Sequence, residues 1–395
     1  MKLKIGFLTA GGIAPCLSSS ICALISEYNK IENVDFEFIG YLNGYRGLLT
    51  NNKINIPNNF NSEALYSFGG SFLGNSRVKL TNIKDCEDKG YIEKGQNPLE
   101  VAANQLKNDN IDILHTIGGD DTNTTAGDLV GFLFNNNYKL RVIGMPKTID
   151  NDVFPINQTL GAVTAAEQTK LFFENIVNEN TTSTRQLIIH EVMGRNCGWL
   201  TAYSAFLYQE SLKYKVFIPE IFIDKVKWGI HGIYIPELDY DFKKEFIRLR
   251  KIMDKYDCVN IFFSEGAGLN EIISDMKSNK KDIKYDAFGH VRLDEINPGK
   301  WFSNIFKKEL NADKVLVQKS GYFARSAKPN KEDLKLIKDS ASLAVKCAIK
   351  GNKSGVIGLK DQLELIDFSF IKGGKPFDYN VEWFKKLTEE INHIG

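Results

Sequence analysis

Five times along the chain a short apolar run ends in a glycine or acidic turn and then gives way to helical periodicity. The runs are residues 4–9 before Gly11-Gly12, 111–117 before Gly118-Gly119, 141–145, 186–192 before Gly194, and 259–264 before Gly266. Continuously apolar strands alternating with helices are the mark of parallel sheets covered on both faces, because a strand buried on both sides needs no polar alternation. At 395 residues the chain exceeds one ordinary core, so it predicts two doubly wound, mostly parallel α/β lobes. Ligands of such sheets collect beyond the carboxyl ends of the strands. All five turns are therefore expected on one functional rim.

Between the strands, a helix is predicted from about residue 15 to 28, with Pro15 in its first turn. Another is predicted over 331–350, where Leu334, Leu336, Ile337, Leu343, Ala344, Cys347 and Ala348 form an amphipathic stripe. Residues 51–61 read as a polar surface excursion, and the charged run 278–284 as a solvated segment. His190 and Trp199 read as core residues.

Composition narrows the function mainly by exclusion. A formal charge of +1 gives no global field for nucleic acid or a membrane surface, so any anion must be handled by local groups. The opening Lys2 and Lys4 precede an apolar run too short for a leader and broken by Gly11, Gly12 and Pro15; it reads as a first strand. No stretch reaches transmembrane length. Six cysteines without C-x-x-C spacing suit a reducing, cytoplasmic setting, and five histidines form no H-E-x-x-H cluster.

Three turns carry recognisable chemistry. Gly11-Gly12, between a strand and a helix start, lets backbone N–H groups approach an anion. Gly118-Gly119-Asp120-Asp121-Thr122 adds two adjacent carboxylates, suited to Mg²⁺ bridging protein and phosphate oxygens; the alternative is simple capping of the next helix. In Pro146-Lys147-Thr148-Ile149-Asp150-Asn151-Asp152, extended backbone would put Thr148 and Asp150 on one side. Lys147 offers a positive point charge for a transferring phosphoryl group, and Asp150 can take the proton of an attacking hydroxyl.

At these residues the sequence resembles the phosphofructokinase family. The glycine turn matches at Thr9-Ala10-Gly11-Gly12, the Gly-Gly-Asp turn at Gly118-Gly119-Asp120, and the Thr-Ile-Asp-Asn-Asp segment at Thr148 to Asp152. Glu191-Val192-Met193-Gly194-Arg195, Glu265-Gly266-Ala267 and the late loop Gly321-Tyr322-Phe323-Ala324-Arg325 follow in family order. The resemblance implies Asp150 as proton acceptor, Thr148 as a sugar contact and Asp120 as the Mg²⁺ ligand. It also implies Met193, Gly194, Arg195, Glu265, Tyr322 and Arg325 at fructose 6-phosphate, and Arg77 near the phosphoryl donor. It implies an active site in the cleft between two lobes: a donor lobe of residues 1–160 plus about 324–380, and a sugar-phosphate lobe of 161–323 plus the C-terminal tail.

Two positions bear on the donor. ATP-using members carry glycine where this chain has Asp121 and Lys147; the pyrophosphate-dependent branch resembles it there. A carboxylate at Asp121 would repel and crowd a nucleotide's α-phosphate, while Lys147 would neutralise a departing phosphate. The resemblance thus implies reversible phosphoryl transfer from pyrophosphate to the 1-hydroxyl of fructose 6-phosphate by a homodimer or homotetramer, within glycolysis and gluconeogenesis. An ATP donor and sedoheptulose 7-phosphate as acceptor are the alternatives. A nicotinamide enzyme is disfavoured by the incomplete glycine spacing at Gly11-Gly12, and a non-catalytic subunit by the presence of Asp150 and Lys147. Departures from the family pattern are Cys16, read as a packed thiol, and Ala324-Arg325-Ser326-Ala327. Arg185 has no assigned role, and Lys314 is a candidate for a residue shared between subunits.

Overall fold

The computed structural model of the chain describes residues 2–58, 60–278, 283, 297–351 and 353–393. Of the charged run expected at 278–284, all but Ser278 and Ile283 lies outside the described residues. Eleven strands are described: β1 (Lys2–Thr9), β2 (Asp35–Tyr41), β3 (Lys53–Ile56), β4 (Ile113–Gly118), β5 (Arg141–Pro146), β6 (Gln186–Val192), β7 (Gly232–Tyr234), β8 (Cys258–Ser264), β9 (Lys314–Lys319), β10 (Gly355–Leu359) and β11 (Leu363–Ile366). They form two sheets in two compact units, one of Met1–Ala165 with Arg325–Lys375 and one of Ala166–Ala324 with Pro376–Gly395.

The first unit holds a seven-stranded sheet in the order β11-β10-β5-β4-β1-β2-β3. Its interior pairs are parallel, and only the edge pairs β2/β3 and β10/β11 are antiparallel. Leaving β1, the chain adds β2 on one side and β4 on the other, so the order reverses between β1 and β4. At such a reversal the connections diverge to opposite faces and leave a crevice beyond the strand ends. Every residue of β4 is buried, His115 and Thr116 among its apolar neighbours included. The edge strand β3 falls inside the stretch expected to be a surface excursion. Its Lys-Ile-Asn-Ile sequence supports one-sided pairing to β2 while keeping polar groups outward.

The second unit holds a four-stranded, wholly parallel sheet in the order β7-β8-β6-β9. All of β6 and β8 is buried. His190 sits in β6 against Phe173 and Phe262, and burial pushes its pKa down to about 3, so it is a neutral packing residue. Three of the five turns follow strands of the first unit's sheet and two follow strands of the second's.

Two local expectations shift. The first helix runs Leu17–Tyr28, with Pro15 in the turn ahead of it; Cys16 is the cap, its carbonyl accepting the first helical hydrogen bond from the Ser20 N–H at 2.8 Å. Trp199 is only half-buried and stacks on Tyr203 one helical turn on, at 4.9 Å between centroids.

The helix Lys331–Lys350 forms as expected, and Ile337, Ala341, Ala344, Val345 and Ala348 supply its buried stripe. Its start is capped by the Asn330 side chain, and a carboxylate in its first turn ties it to the segment around Gly161. Asp333, fully buried, accepts hydrogen bonds from the Gly161 N–H at 3.1 Å and the Thr164 N–H at 2.7 Å, and its own N–H is capped by Asn330 at 2.9 Å. Removing that acceptor strands buried donors, so Asp333→Ala should lower unfolding free energy by about 3 kcal/mol. A urea titration showing no change in midpoint would refute this role.

Candidate active site

In the first unit the site begins where β1 ends. Gly11 has φ 82°, a backbone conformation that side chains rarely tolerate. Its N–H is committed to the Ser76 carbonyl at 2.9 Å, so it is not the anion donor expected from the sequence. The Asn75 amide donates to the carbonyls of Gly11 and Gly12 at 3.3 and 3.1 Å. These bonds lash residues 75–76 across the turn, and Arg77 follows directly. A side chain at Gly12 would meet nothing within 4 Å, so the space above that residue is open.

Lys147, at the end of β5, donates from Nζ to the Gly12 carbonyl at 2.7 Å and is 4% exposed. Burial lowers its pKa, with the nearby Arg77 acting in the same direction; Cys16, Asp150 and Asp152 oppose the shift. After Lys147 the backbone turns instead of continuing extended. The Thr148 hydroxyl accepts the Asp150 N–H at 3.1 Å, and Asn151 takes a left-handed φ of 56°. The Asn151 side chain fixes that turn by accepting from the Thr159 N–H and donating to the Asn157 carbonyl, both at 2.9 Å. Thr148 and Asp150 are therefore brought together by a turn, not by strand alternation.

At the end of β4, Gly119 caps the helix Asp120–Asn135, which places Asp120 and Asp121 in the first turn, where the helix dipole favours negative charge. Neither aspartate is the cap. Asn123 donates to the carbonyls of Gly118 and Gly119 at 2.9 and 2.8 Å, and Thr124 to that of Asp120 at 3.0 Å. The Asn and Thr residues after the acidic pair thus hold the turn's shape. Asp121 is exposed and ion-paired to Lys79 at 2.7 Å. Asp120 lies against Gly373, where an added Cβ would come within 1.7 Å of Oδ2. Burial raises the pKa of Asp152, and the charge of Asp120 raises it further. Two carboxylates that repel one another in a partly desolvated place have the electrostatics that a divalent cation relieves. Among the described residues no cluster of three or more His, Cys, Asp or Glu side chains could hold a metal. That donor set fits Mg²⁺, which takes one or two carboxylates and completes its shell with water and phosphate oxygens. Cys16 is fully buried and its thiol is pushed well above the usual range, first by burial and then by Asp333, which makes it a packed, unreactive group.

The second unit gathers the other motif residues at the ends of β6, β8 and β9. Gly194 has φ 128°, and its carbonyl accepts from the Ser264 hydroxyl. The Glu265 N–H donates to the Val192 carbonyl at 3.0 Å. Gly266 sits so close to Arg195 that a Cβ would fall 1.7 Å from its carbonyl oxygen, and Gly321 lies against Met193, a Cβ there meeting Cγ at 2.7 Å. Gly194, Arg195 and Glu265 are thus held by backbone contacts, and the Met193 side chain packs against Gly321. Burial raises the Glu265 pKa, and the Gly194 N–H opposes it. The expected late loop is a single turn of helix, Gly321–Arg325, on which Tyr322 is 79% exposed; Arg325 closes that turn and is grouped with the first unit. Lys319 pairs with the buried Glu191 at 2.7 Å.

Arg185 and Lys314 have local duties. The Arg185 guanidinium donates to the carbonyls of Asn311 and Leu310 at 2.6 and 2.8 Å, closing the C-terminus of the helix Pro298–Leu310. Lys314 pairs with Glu179 at 3.5 Å. The sequence reading passed over Asn75, Ser76, Lys79, Asp152, Lys319 and Gly373. Asn75, Ser76 and Lys79 flank Arg77 and Asp152 closes the Thr-Ile-Asp-Asn-Asp motif, so both sets had a signal. Gly373 had none.

A sequence profile described as phosphofructokinase matches residues 4–348. The chain is 52% identical over 394 residues to the pyrophosphate–fructose 6-phosphate 1-phosphotransferase of Methylotuvimicrobium alcaliphilum, covering 98% of this chain and 96% of that one. A protein of the same name from Mastigamoeba balamuthi is 49% identical over 397 residues, covering 99% and 96%. Among solved structures, the pyrophosphate-dependent phosphofructokinase of Marinobacter aquaeolei matches with TM-score 0.71 at 20% identity, covering 98% and 91%, a likeness of fold.

The glycine contacts differ in kind, and substitution should separate them. Gly266→Ala drives a methyl group into a backbone oxygen and should cost about 3 kcal/mol. Gly12→Ala points into open space and should leave stability within about 0.5 kcal/mol of the parent. Equal unfolding midpoints for the two variants would contradict the geometry.

Proposed function

The chain belongs to the phosphofructokinase family, and we propose that it transfers a phosphoryl group from pyrophosphate to the 1-hydroxyl of fructose 6-phosphate. The products are fructose 1,6-bisphosphate and phosphate. The observation that carries this reading is Lys147, a buried ammonium tied to the Gly12 carbonyl at 2.7 Å beside the open space over Gly12. The names of the relatives at 52% and 49% identity agree with it.

On this reading Asp150 accepts the proton of the sugar's 1-hydroxyl as that oxygen attacks phosphorus. Lys147 and Arg77 stabilise charge that spreads onto the leaving phosphate, which a fixed cation does at no reorganisation cost. Asp120, with Asp152 beside it, would hold Mg²⁺, which supplies charge neutralisation on the phosphate oxygens. Thr148 holds the turn that carries Asp150 and contacts the sugar. Met193, Gly194, Arg195, Glu265, Tyr322 and Arg325 bind fructose 6-phosphate, Arg325 and Tyr322 at its phosphate. Asp121 excludes a nucleotide by charge and bulk where an α-phosphate would lie. Pyrophosphate and the bisphosphate product are close in transfer potential, so the reaction runs in both directions and serves glycolysis and gluconeogenesis in the cytoplasm. No described helix is long and apolar enough to cross a membrane.

Assays crossing pyrophosphate and ATP with fructose 6-phosphate and sedoheptulose 7-phosphate test the reading directly. Turnover is expected with pyrophosphate and fructose 6-phosphate. Asp121→Gly/Lys147→Gly should lower kcat/KM for pyrophosphate by about 10³ or more and raise use of ATP. Strict pyrophosphate preference in that double variant would remove the assigned roles of both residues.

A second expectation concerns pH. Burial lowers the Lys147 pKa below its ordinary 10.5, so the ammonium loses its proton at lower pH than an exposed lysine would. Only the charged form attracts the donor. The pyrophosphate kcat/KM should therefore fall on the alkaline side, with a midpoint below 10.5, and this limb should vanish in Lys147→Gly. A limb unchanged by that substitution belongs to another group.

A further inference from the structure

The first unit has a second concave place, at the amino-terminal ends of the parallel strands β5 and β10; Lys147 and the acidic pair follow the carboxyl ends of β5 and β4. It is a groove of about 940 Å³, the size of a cleft that takes a small organic molecule. The last turns of the helix Asp120–Asn135, the turn into β5, and the link from the helix Lys331–Lys350 to β10 line it. These walls are fixed by the chain's own bonds. Asn137 takes a left-handed φ of 58°, and the Tyr138 N–H returns to the Leu133 carbonyl at 3.0 Å, which closes the first helix. The Tyr138 hydroxyl donates to the Ile111 carbonyl at 2.8 Å, and the Ser354 hydroxyl accepts the Val142 N–H at 3.0 Å. Arg141 donates from Nη1 to the carbonyls of Ile349 and Gly351 at 3.3 and 3.5 Å, which meets the carbonyl end of the second helix.

We propose that this groove binds a small organic anion, a carboxylate or phosphate head on a ring-sized apolar body. Charge selects the head. Lys139 and Arg141 line the groove, and no carboxylate does so among the described residues. Neither cation has an ion pair there, and the side-chain amides of Asn135 and Asn137, also in the lining, have no hydrogen-bond partner there. Arg141 commits only Nη1, so the rest of its fork is available to an oxyanion, with the Lys139 ammonium as a second donor. Carbon surface selects the body. Val130, Leu133, Phe134 and Leu140 share the lining, and Phe134 is 81% exposed, an aromatic face that a bare inorganic ion would leave in water. A neutral hydrophobe would cover that face but strip water from two cations without replacing it. None of these residues belongs to the phosphoryl-transfer machinery, so the inference does not depend on the proposed reaction, and turnover by each variant reports its folding.

The test is calorimetric titration of the full-length protein with 1-naphthoate, 1-naphthyl phosphate and the uncharged 1-naphthalenemethanol. At least one of the two anions should bind with a Kd of roughly 100 µM or tighter, and the tighter of them identifies the head group. The alcohol should bind at least about tenfold more weakly. Lys139→Glu, an exposed change that puts a like charge beside the anion, should weaken binding about tenfold or more. Phe134→Ser, equally exposed, should weaken it about fivefold. Four results would overturn the proposal: no saturable binding of either anion up to about 1 mM, equal affinity for the alcohol, affinity unchanged in either variant, or a lower assembly mass of Phe134→Ser in sedimentation. Unchanged affinity in the variants would place the anion elsewhere on the molecule, and a lower mass would give the groove to a contact between chains.

Discussion

A lysine ammonium that is 96% removed from solvent cannot persist as a charge unless something replaces the water it lost. Lys147 finds that replacement in a backbone carbonyl, Gly12, and in the negative groups Asp150 and Asp152 nearby. Much of the first unit's rim can be understood as serving this contact. Gly11 takes its left-handed conformation so that the turn can present the Gly12 carbonyl, and Ser76 and Asn75 secure the turn from the other side. The compensation is incomplete, since the pKa of Lys147 still lies below that of an exposed lysine. A cation held with an unmet need for negative charge is what an anionic donor would complete, and on the proposed reading pyrophosphate does so.

The same rim shows how carboxylates and glycines divide their labour. Asp120 can occupy its place only because residue 373, far along the chain, has no side chain. Once there, it raises the pKa of the buried Asp152, so the pair stores repulsion that a divalent ion would release. In the second unit close approach has another purpose. Gly266 against the Arg195 carbonyl brings the ends of β6 and β8 into direct backbone contact, and Gly321 leaves room for the Met193 side chain beside the end of β9. Sites built this way owe their geometry to sterics, which is stiffer than ion pairing.

Much of this was legible in the chain itself, for identifiable reasons. Strands buried on both faces are largely apolar, and β6 appears with the boundaries that its pattern implies. The helix Lys331–Lys350 was readable from its stripe. Turns were readable as turns but not in their internal bonding. Nothing local announces that the Gly11 N–H is spent on Ser76, because that bond depends on which segment passes nearby, and the local Thr148–Asp150 bond competes with an extended backbone that the same residues allow. Edge strand β3 was hidden for a related reason, since a strand paired on one side needs little apolar pattern. Gly373 was invisible, because its importance is defined by a carboxylate on a different element.

Asp121 differs from its neighbours in a way that bears on selectivity. It is mostly exposed, and its partner Lys79 is itself partly exposed, so their ion pair does little for stability. The helix start would be capped by Gly119 with any residue at 121. On the proposed reading this carboxylate, with neither a packing nor a capping duty, acts through the potential it creates. It lowers the affinity of that end of the site for further negative charge, a penalty that grows with the length of the polyphosphate bound. Lys147 attracts and Asp121 limits. On that reading a small, compact anion satisfies the first without meeting the second, and a nucleotide does not.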